Sequence, residues 1–411
     1  MEYDKILKKK KDGGVRMGTE SAWAPVALRR ADTYEYERLL ACLEQMGADL
    51  GLGPAHFRDR RVVIKPNLVA AMRPEQAATS DPTLLSAVAA FLRAHGAGEI
   101  LVAESPSGIY SETMLRRNYR ACGILETAGA AGVTLNYATD AVSCAYHEGV
   151  ACRAFSVIAP IAEADVIVDL CRLKSHSLTR LSGAVKNLFG VVPGVEKFEM
   201  HSAYPTMPVF SEMLVDLCAM LCGAHEVLAI CDAITAMEGN GPTGGVPRPV
   251  GALLMSASPF CLDRAAEALI GFGGTVPTTE IAAGRGLCPP RADEVPILGE
   301  PLAALAVADF AEPDSSRETA GVRFLRALPD FMGGRFARFL RPRPQIDAKA
   351  CVGCGVCAAS CPRHRIAVVG EGAKRRARID YDGCICCFCC QELCPHRAVR
   401  IRKNPFLSLV H

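Results

Sequence analysis

The chain has 411 residues, half of them apolar, with 46 Lys/Arg against 44 Asp/Glu for a net charge of +2. That length allows two or three domains and a large buried core. A mean hydropathy of +0.17 argues against a disordered chain, and no apolar run reaches the roughly 18–20 residues of a membrane span.

Charge is unevenly placed. Residues 1–16 carry six Lys/Arg and three Asp/Glu, residues 335–411 carry 15 and five, and the stretch between them stands at −11. An acidic body beside a basic C-terminal module suggests electrostatic docking of the two. The Lys-rich start of the chain is followed by no apolar signal segment. Its 20 cysteines would mark a disulfide scaffold only in a short secreted chain, so a cytoplasmic protein with reduced thiols is expected.

In chain order, residues 1–17 read as a disordered basic tail. Residues 18–312 alternate short apolar runs with helical patterns. Buried strands are expected at 61–68, 99–105, 165–174, 226–234 and 250–258, and helices at 82–95, 114–130 and 259–270. Ser80 or Asp81 would cap the first of these helices, and Asp263 would fall in the first turn of the last. This alternation gives an α/β fold class, a mainly parallel sheet with helices on both faces. The polar, Arg- and Pro-rich stretch 313–344 reads as a linker, 345–403 as a small α+β module and 404–411 as a tail.

Open α/β sheets bind ligands beyond the carboxyl ends of their strands, and here those exits are polar. The first ends at Lys65 and Asn67 and the second at Glu104. The third leads into Lys174, His176, Lys186, Asn187, Lys197 and His201, and the fourth passes Asp232 to Glu238 and Asn240. Taken singly, each has a structural reading: a snorkelling lysine, a helix-capping carboxylate, a turn-rich loop. Together the cationic groups suit a small anionic ligand. Lys65, Lys174 and Lys186 would hold it, with Asn67, Asn187, Glu238 and Asn240 beside them. His176 or His201 would move protons, positioned by Glu104 or Asp232. Cys171 and Cys231, close by, read as core residues.

The C-terminal cysteines form two runs, Cys351-x2-Cys354-x2-Cys357-x3-Cys361-Pro362 and Cys384-x2-Cys387-x2-Cys390-x3-Cys394-Pro395. This is the spacing of a bacterial two-cluster ferredoxin, in which each [4Fe–4S] cluster takes three thiolates from one run and the fourth from the other. Cys351, Cys354, Cys357 and Cys394 should hold one cluster, and Cys384, Cys387, Cys390 and Cys361 the second. Cys386 and Cys389 lie off the spacing and read as neighbours of the ligands. Each oxidised cluster with its thiolates adds about −2, which weakens the case for nucleic acid as a partner of the basic end.

Several segments carry a wider resemblance: VVIKPNL (62–68), DVIVDLCRLKSHSLTRLSGAVKNLFGVVPG (165–194), ICDAITAMEGNGPTGG (230–245), SASPFCLDRAAEALIGF (256–272) and both cysteine runs. At these residues the chain resembles the family catalogued as domain of unknown function 362, in its form with a C-terminal ferredoxin module. The resemblance implies a two-part iron–sulfur protein. GAVKNLFGVVPG followed by His201 is also similar in layout to the Gly-Gly-x-Lys…Pro-Gly…His segment of lactate-racemase-type proteins. Three functions are therefore to be weighed. The first is an oxidoreductase that relays electrons from a partner protein through two clusters to a small anionic substrate. The others are a racemase- or lyase-like enzyme with structural or oxygen-sensing clusters, and an electron carrier without a substrate.

Overall fold

The computed structural model describes residues 22–316 and 342–402. The expected tails at 1–17 and 404–411, and most of the expected linker, lie outside the described residues.

The body is organised on a nine-stranded sheet. Its strands are β1 (Val26–Arg30), β2 (Arg61–Pro66), β3 (Glu99–Val102) and β4 (Thr134–Leu135), then, after a separate hairpin of β5 (Ala141–Ala145) and β6 (Ala154–Ile158), β7 (Val166–His176), β8 (Arg180–Ser182), β9 (Glu226–Glu238), β10 (Val246–Ser256) and β11 (Ile297–Gly299). They run in the order β11-β1-β10-β9-β7-β2-β3-β4, with β8 paired to β7. Five pairings are parallel and three antiparallel. All 11 residues of β7 are buried, which requires cover on both faces.

One face packs on α1 (Tyr36–Asp49), α2 (Pro82–Ala94), α3 (Glu112–Ala121) and α4 (Ile124–Ala131). The other packs on α5 (Ala184–Asn187), α7 (Met207–Ala224), α8 (Pro259–Leu269) and α9 (Pro277–Gly284), with α6 (Glu196–Ala203) between α5 and α7 in sequence. Asp81 caps α2, its carboxylate accepting from the N–H groups of Thr83 (2.8 Å) and Leu84 (3.3 Å). Helix α7 is long and apolar enough to cross a membrane by length and composition, but 61% of it is buried. Phe210, Leu214, Leu217 and Leu221, at helical spacing, place it in the core.

The chain leaves β2 for β3 and β4, then returns to β7 on the opposite side of β2. The crevice beyond the carboxyl ends of β2 and β7 is therefore a topological switch point, where open sheets of this kind bind ligands.

The C-terminal module pairs β12 (Arg343–Ile346) with β15 (Val399–Arg402) and β13 (Ile366–Val369) with β14 (Arg376–Ile379), beside two single-turn helices, α10 (Val356–Ala359) and α11 (Cys389–Glu392). It docks on the Gly-rich loop after β9. Gln391 donates to the Asn240 carbonyl (2.9 Å) and Thr243 to the Glu392 carbonyl (2.8 Å). A Cβ on Gly244 would stand 2.4 Å from the Gln391 amide nitrogen, so a side chain there would push Gln391 off its bond to Asn240. These two contacts are neutral hydrogen bonds.

Candidate functional site

The eight spaced cysteines fall into two groups of four. Cys351, Cys354, Cys357 and Cys394 line one cavity, and Cys361, Cys384, Cys387 and Cys390 line another. Backbone N–H groups reach the sulfurs of Cys351, Cys361 and Cys394 at 3.2–3.3 Å, the kind of hydrogen bond that stabilises thiolate charge. Among the described residues no three His, Cys, Asp or Glu side chains close around a single point as a mononuclear ion requires; each thiol set surrounds a space instead. The residues present fit two [4Fe–4S] clusters. Cys386 and Cys389 line neither cavity.

A second, polar pocket of about 60 Å³ lies at the switch point. Its frame is a hydrogen-bonded chain of side chains. Lys65 is buried and pairs with buried Glu104, and its Nζ donates to Asn187 Oδ1 (3.0 Å). Asn67 donates to the same oxygen (2.7 Å) and accepts from Lys174 Nζ (2.7 Å), which also donates to the Ala78 carbonyl (2.8 Å). Asn187 donates onward to Asp169 (2.6 Å). Lys197 donates to the Ser105 carbonyl.

The local sequence explains how Lys186 and Asn187 reach this frame. Asp263 accepts from the N–H groups of Ala184 (2.6 Å) and Val185 (3.0 Å), pinning the start of α5; it stands in the second turn of α8, one turn later than expected. Three residues after Asn187, Gly190 lies so close that a Cβ would fall 2.2 Å from Glu104 and 2.6 Å from Lys65 Nζ. The Lys-Asn-x-x-Gly segment thus supplies two pocket-lining side chains and one place where the backbone must pass.

Burial sets the electrostatics. Desolvation, helped by the charges of Arg172, Lys186 and Lys65, lowers Lys174 to about 7. Burial also lowers Lys197 to about 7 and pulls Lys186 down, while raising Glu104 and lifting Asp169 to about 8. His201 stacks on Phe210 (4.3 Å between centroids) and is pulled to about 3 by burial. Lys186 holds its ammonium 4.8 Å from the Phe189 ring centroid. His176 Nδ1 accepts from the N–H groups of Leu178 (3.0 Å) and Thr179 (3.3 Å). Those two bonds assign the proton of the neutral ring to Nε2, which faces the pocket. Burial holds this ring neutral.

The remaining wall comes from the C-terminal module. Glu392 enters the pocket beside Lys174 and Lys186, its Oε1 3.4 Å from His176 Nε2. Among the described residues neither atom has a hydrogen-bond partner. Glu392 lies two residues from each of Cys390 and Cys394, so a short stretch of chain spans from the cysteine cavities to the pocket. The contact reverses the global charges: a carboxylate of the basic module enters a cationic hollow in the acidic body.

Lys65, Asn67, Glu104, Lys174, His176, Lys186, Asn187 and His201 therefore share one pocket. Three sequence candidates do not. Asp232 lies outside the pocket lining and binds Arg172 (2.6 and 3.0 Å) and Tyr34 (2.9 Å). Glu238 accepts from the Ala311 N–H (3.0 Å). Asn240 exchanges two 2.9 Å hydrogen bonds with Asp314 and carries the docking carbonyl for Gln391. Cys171 and Cys231 sit opposite each other in the β7–β9 register, fully buried in the core and away from the pocket. Sequence reasoning passed over Glu392, Cys389 and Asp169 as pocket or frame residues. The signal for Glu392 was its place inside the second cysteine run; nothing in the order of residues shows that it reaches His176.

The chain matches the family described as "Domain of unknown function (DUF362)" over residues 62–268, and a 4Fe-4S dicluster domain over 343–395. It is 32% identical over 278 residues to the thylakoid-associated protein sll1697 of Synechocystis sp., covering 65% of this chain and 81% of that protein. Among solved structures it is similar to a Thermotoga maritima protein (TM-score 0.36, 13% identity, 56% of this chain and 57% of that one). It is also similar to the lactate racemase apoprotein of Thermoanaerobacterium thermosaccharolyticum (TM-score 0.37, 13% identity, 64% of this chain and 60% of that one). The chain spans less than two thirds of either solved chain, and likeness at this level carries no functional argument. The chain belongs to the DUF362 family and is an iron–sulfur protein with a C-terminal 4Fe-4S dicluster domain.

Proposed function

We propose that the protein is an oxidoreductase in which two [4Fe–4S] clusters exchange electrons with a small anionic substrate held in the lysine pocket. The observation that carries this reading is Glu392, which joins ligand-bearing helix α11 to the pocket and touches His176. When bound at the two cysteine sets, the clusters would supply electrons from a low-potential donor protein, and a two-electron reduction would be balanced by two protons. Lys65, Lys174 and Lys186 hold the anionic group. His176 donates a hydrogen bond from Nε2 to the reacting end. Lys174 and Lys197, poised near neutrality, suit proton transfer better than either histidine. None of the 20 cysteines, all among the described residues, is in a disulfide; this supports a reducing, cytoplasmic setting.

The test is anaerobic purification with iron analysis, then reductant consumption with a panel of small carboxylic acids. About eight irons per chain are expected, falling to about four in Cys394→Ala. Lys186→Ala should keep the iron and lose acid-dependent consumption. Full consumption by Lys186→Ala would favour a carrier without a substrate, and turnover of an acid without net electron use would favour a racemase- or lyase-like reaction.

A further inference from the structure

Beside the polar pocket lies a far larger cavity of about 750 Å³, between the body and the C-terminal module. That volume is in the range of roughly 300–1,000 Å³ occupied by small-molecule sites, whereas the polar pocket has room for only a small anion. The two cavities share Ser107, Phe198, Glu392 and Leu393 as walls. The large one is lined by Ile109, Val195 and Val356, which are 72%, 48% and 38% exposed although large and apolar. Exposed apolar residues scattered singly need no explanation, but three facing one cavity mark a binding surface. The cluster ligand Cys394 also lines it.

We infer that the substrate is an amphiphilic acid: its anionic head sits among Lys65, Lys174 and Lys186, and its apolar body fills the interdomain chamber against the site of the first cluster. This rests on the reading of the lysine pocket as the anion site. The head would meet His176 and Glu392 at the partition, and the body would lie between Ile109 and Val195 of the α/β domain and Val356 of the module. Both domains would then contribute to one ligand.

The experiment is calorimetric titration of the anaerobic, cluster-loaded full chain with butanoate, hexanoate and octanoate, and with octan-1-ol as an uncharged control. Burying each added methylene should tighten binding about fourfold. Octan-1-ol should bind at least about tenfold more weakly than octanoate. Ala71→Trp, which fills the chamber from the loop after β2, should weaken octanoate more than about tenfold and leave butanoate unchanged; its iron content verifies the fold. Butanoate and octanoate binding alike, or an indifferent Ala71→Trp, overturns the chamber while the lysine reading stands. Octan-1-ol matching octanoate overturns the placement of the head. No binding by any of the acids overturns the lysine reading itself.

Discussion

Strand β7 carries two buried charged clusters only two residues apart, and they behave oppositely. At Arg172 the charges match: the guanidinium and the Asp232 carboxylate are 1% and 0% exposed, their bonds completed by Tyr34. At Lys174 and His176 they do not. Four lysines crowd around the carboxylates of Glu104 and Glu392, with two histidines that burial keeps neutral, and His176 Nε2, Ser105 Oγ and Asp169 Oδ2 have no hydrogen-bond partner among the described residues. A satisfied cluster supports a fold, whereas surplus charge with unmet donors is an invitation to a ligand.

The largest effect should come from unbalancing the satisfied cluster. Asp232→Ala leaves Arg172 buried and unpaired, and should lower stability by about 3–5 kcal/mol in urea unfolding. Lys174→Met in the unsatisfied cluster should change it by less than about 1 kcal/mol. Equal losses would erase the distinction.

Next is pH. Lys174 and Lys197, lowered to about 7, are charged below that value and neutral above it. Anion affinity should therefore fall as pH rises through about 7, by up to about tenfold per unit for each lysine that must be protonated. Stability runs the other way. Between about 7 and the ordinary lysine range near 10.5, the unfolded chain holds more protons than the folded one, so these lysines make folding more favourable as pH rises. Calorimetry of butanoate binding from pH 6 to 9 checks the first trend, and flat affinity would show that the lysines stay charged. The smallest effect is Glu392→Gln, which removes a carboxylate competing for the lysines. It should strengthen butanoate binding about fivefold without loss of iron.

Much of this was legible in the sequence because it is local. The cysteine spacing groups the eight thiols as the two cavities do, and Lys65, Asn67, Lys174 and His176 follow from strand exits that the apolar runs announce. Asp232 was misplaced because its carboxylate is already taken: Arg172, opposite it in the β7–β9 register, pairs with it outside the pocket lining. A possible partner in Arg172 was readable, but the pairing needs that register. The reach of Glu392 to His176, 216 residues away in the chain, and the chamber were not readable, since both arise where two domains meet.

The central claim is that the cluster sites and the lysine pocket sense one another. EPR-monitored redox titration of the anaerobic protein, with and without saturating butanoate, tests it directly. Bound anion beside the clusters should lower at least one midpoint potential, and by reciprocity the reduced protein should bind butanoate more weakly; Lys174→Met should lose the shift. Potentials that do not move while calorimetry shows the pocket filled would contradict the account.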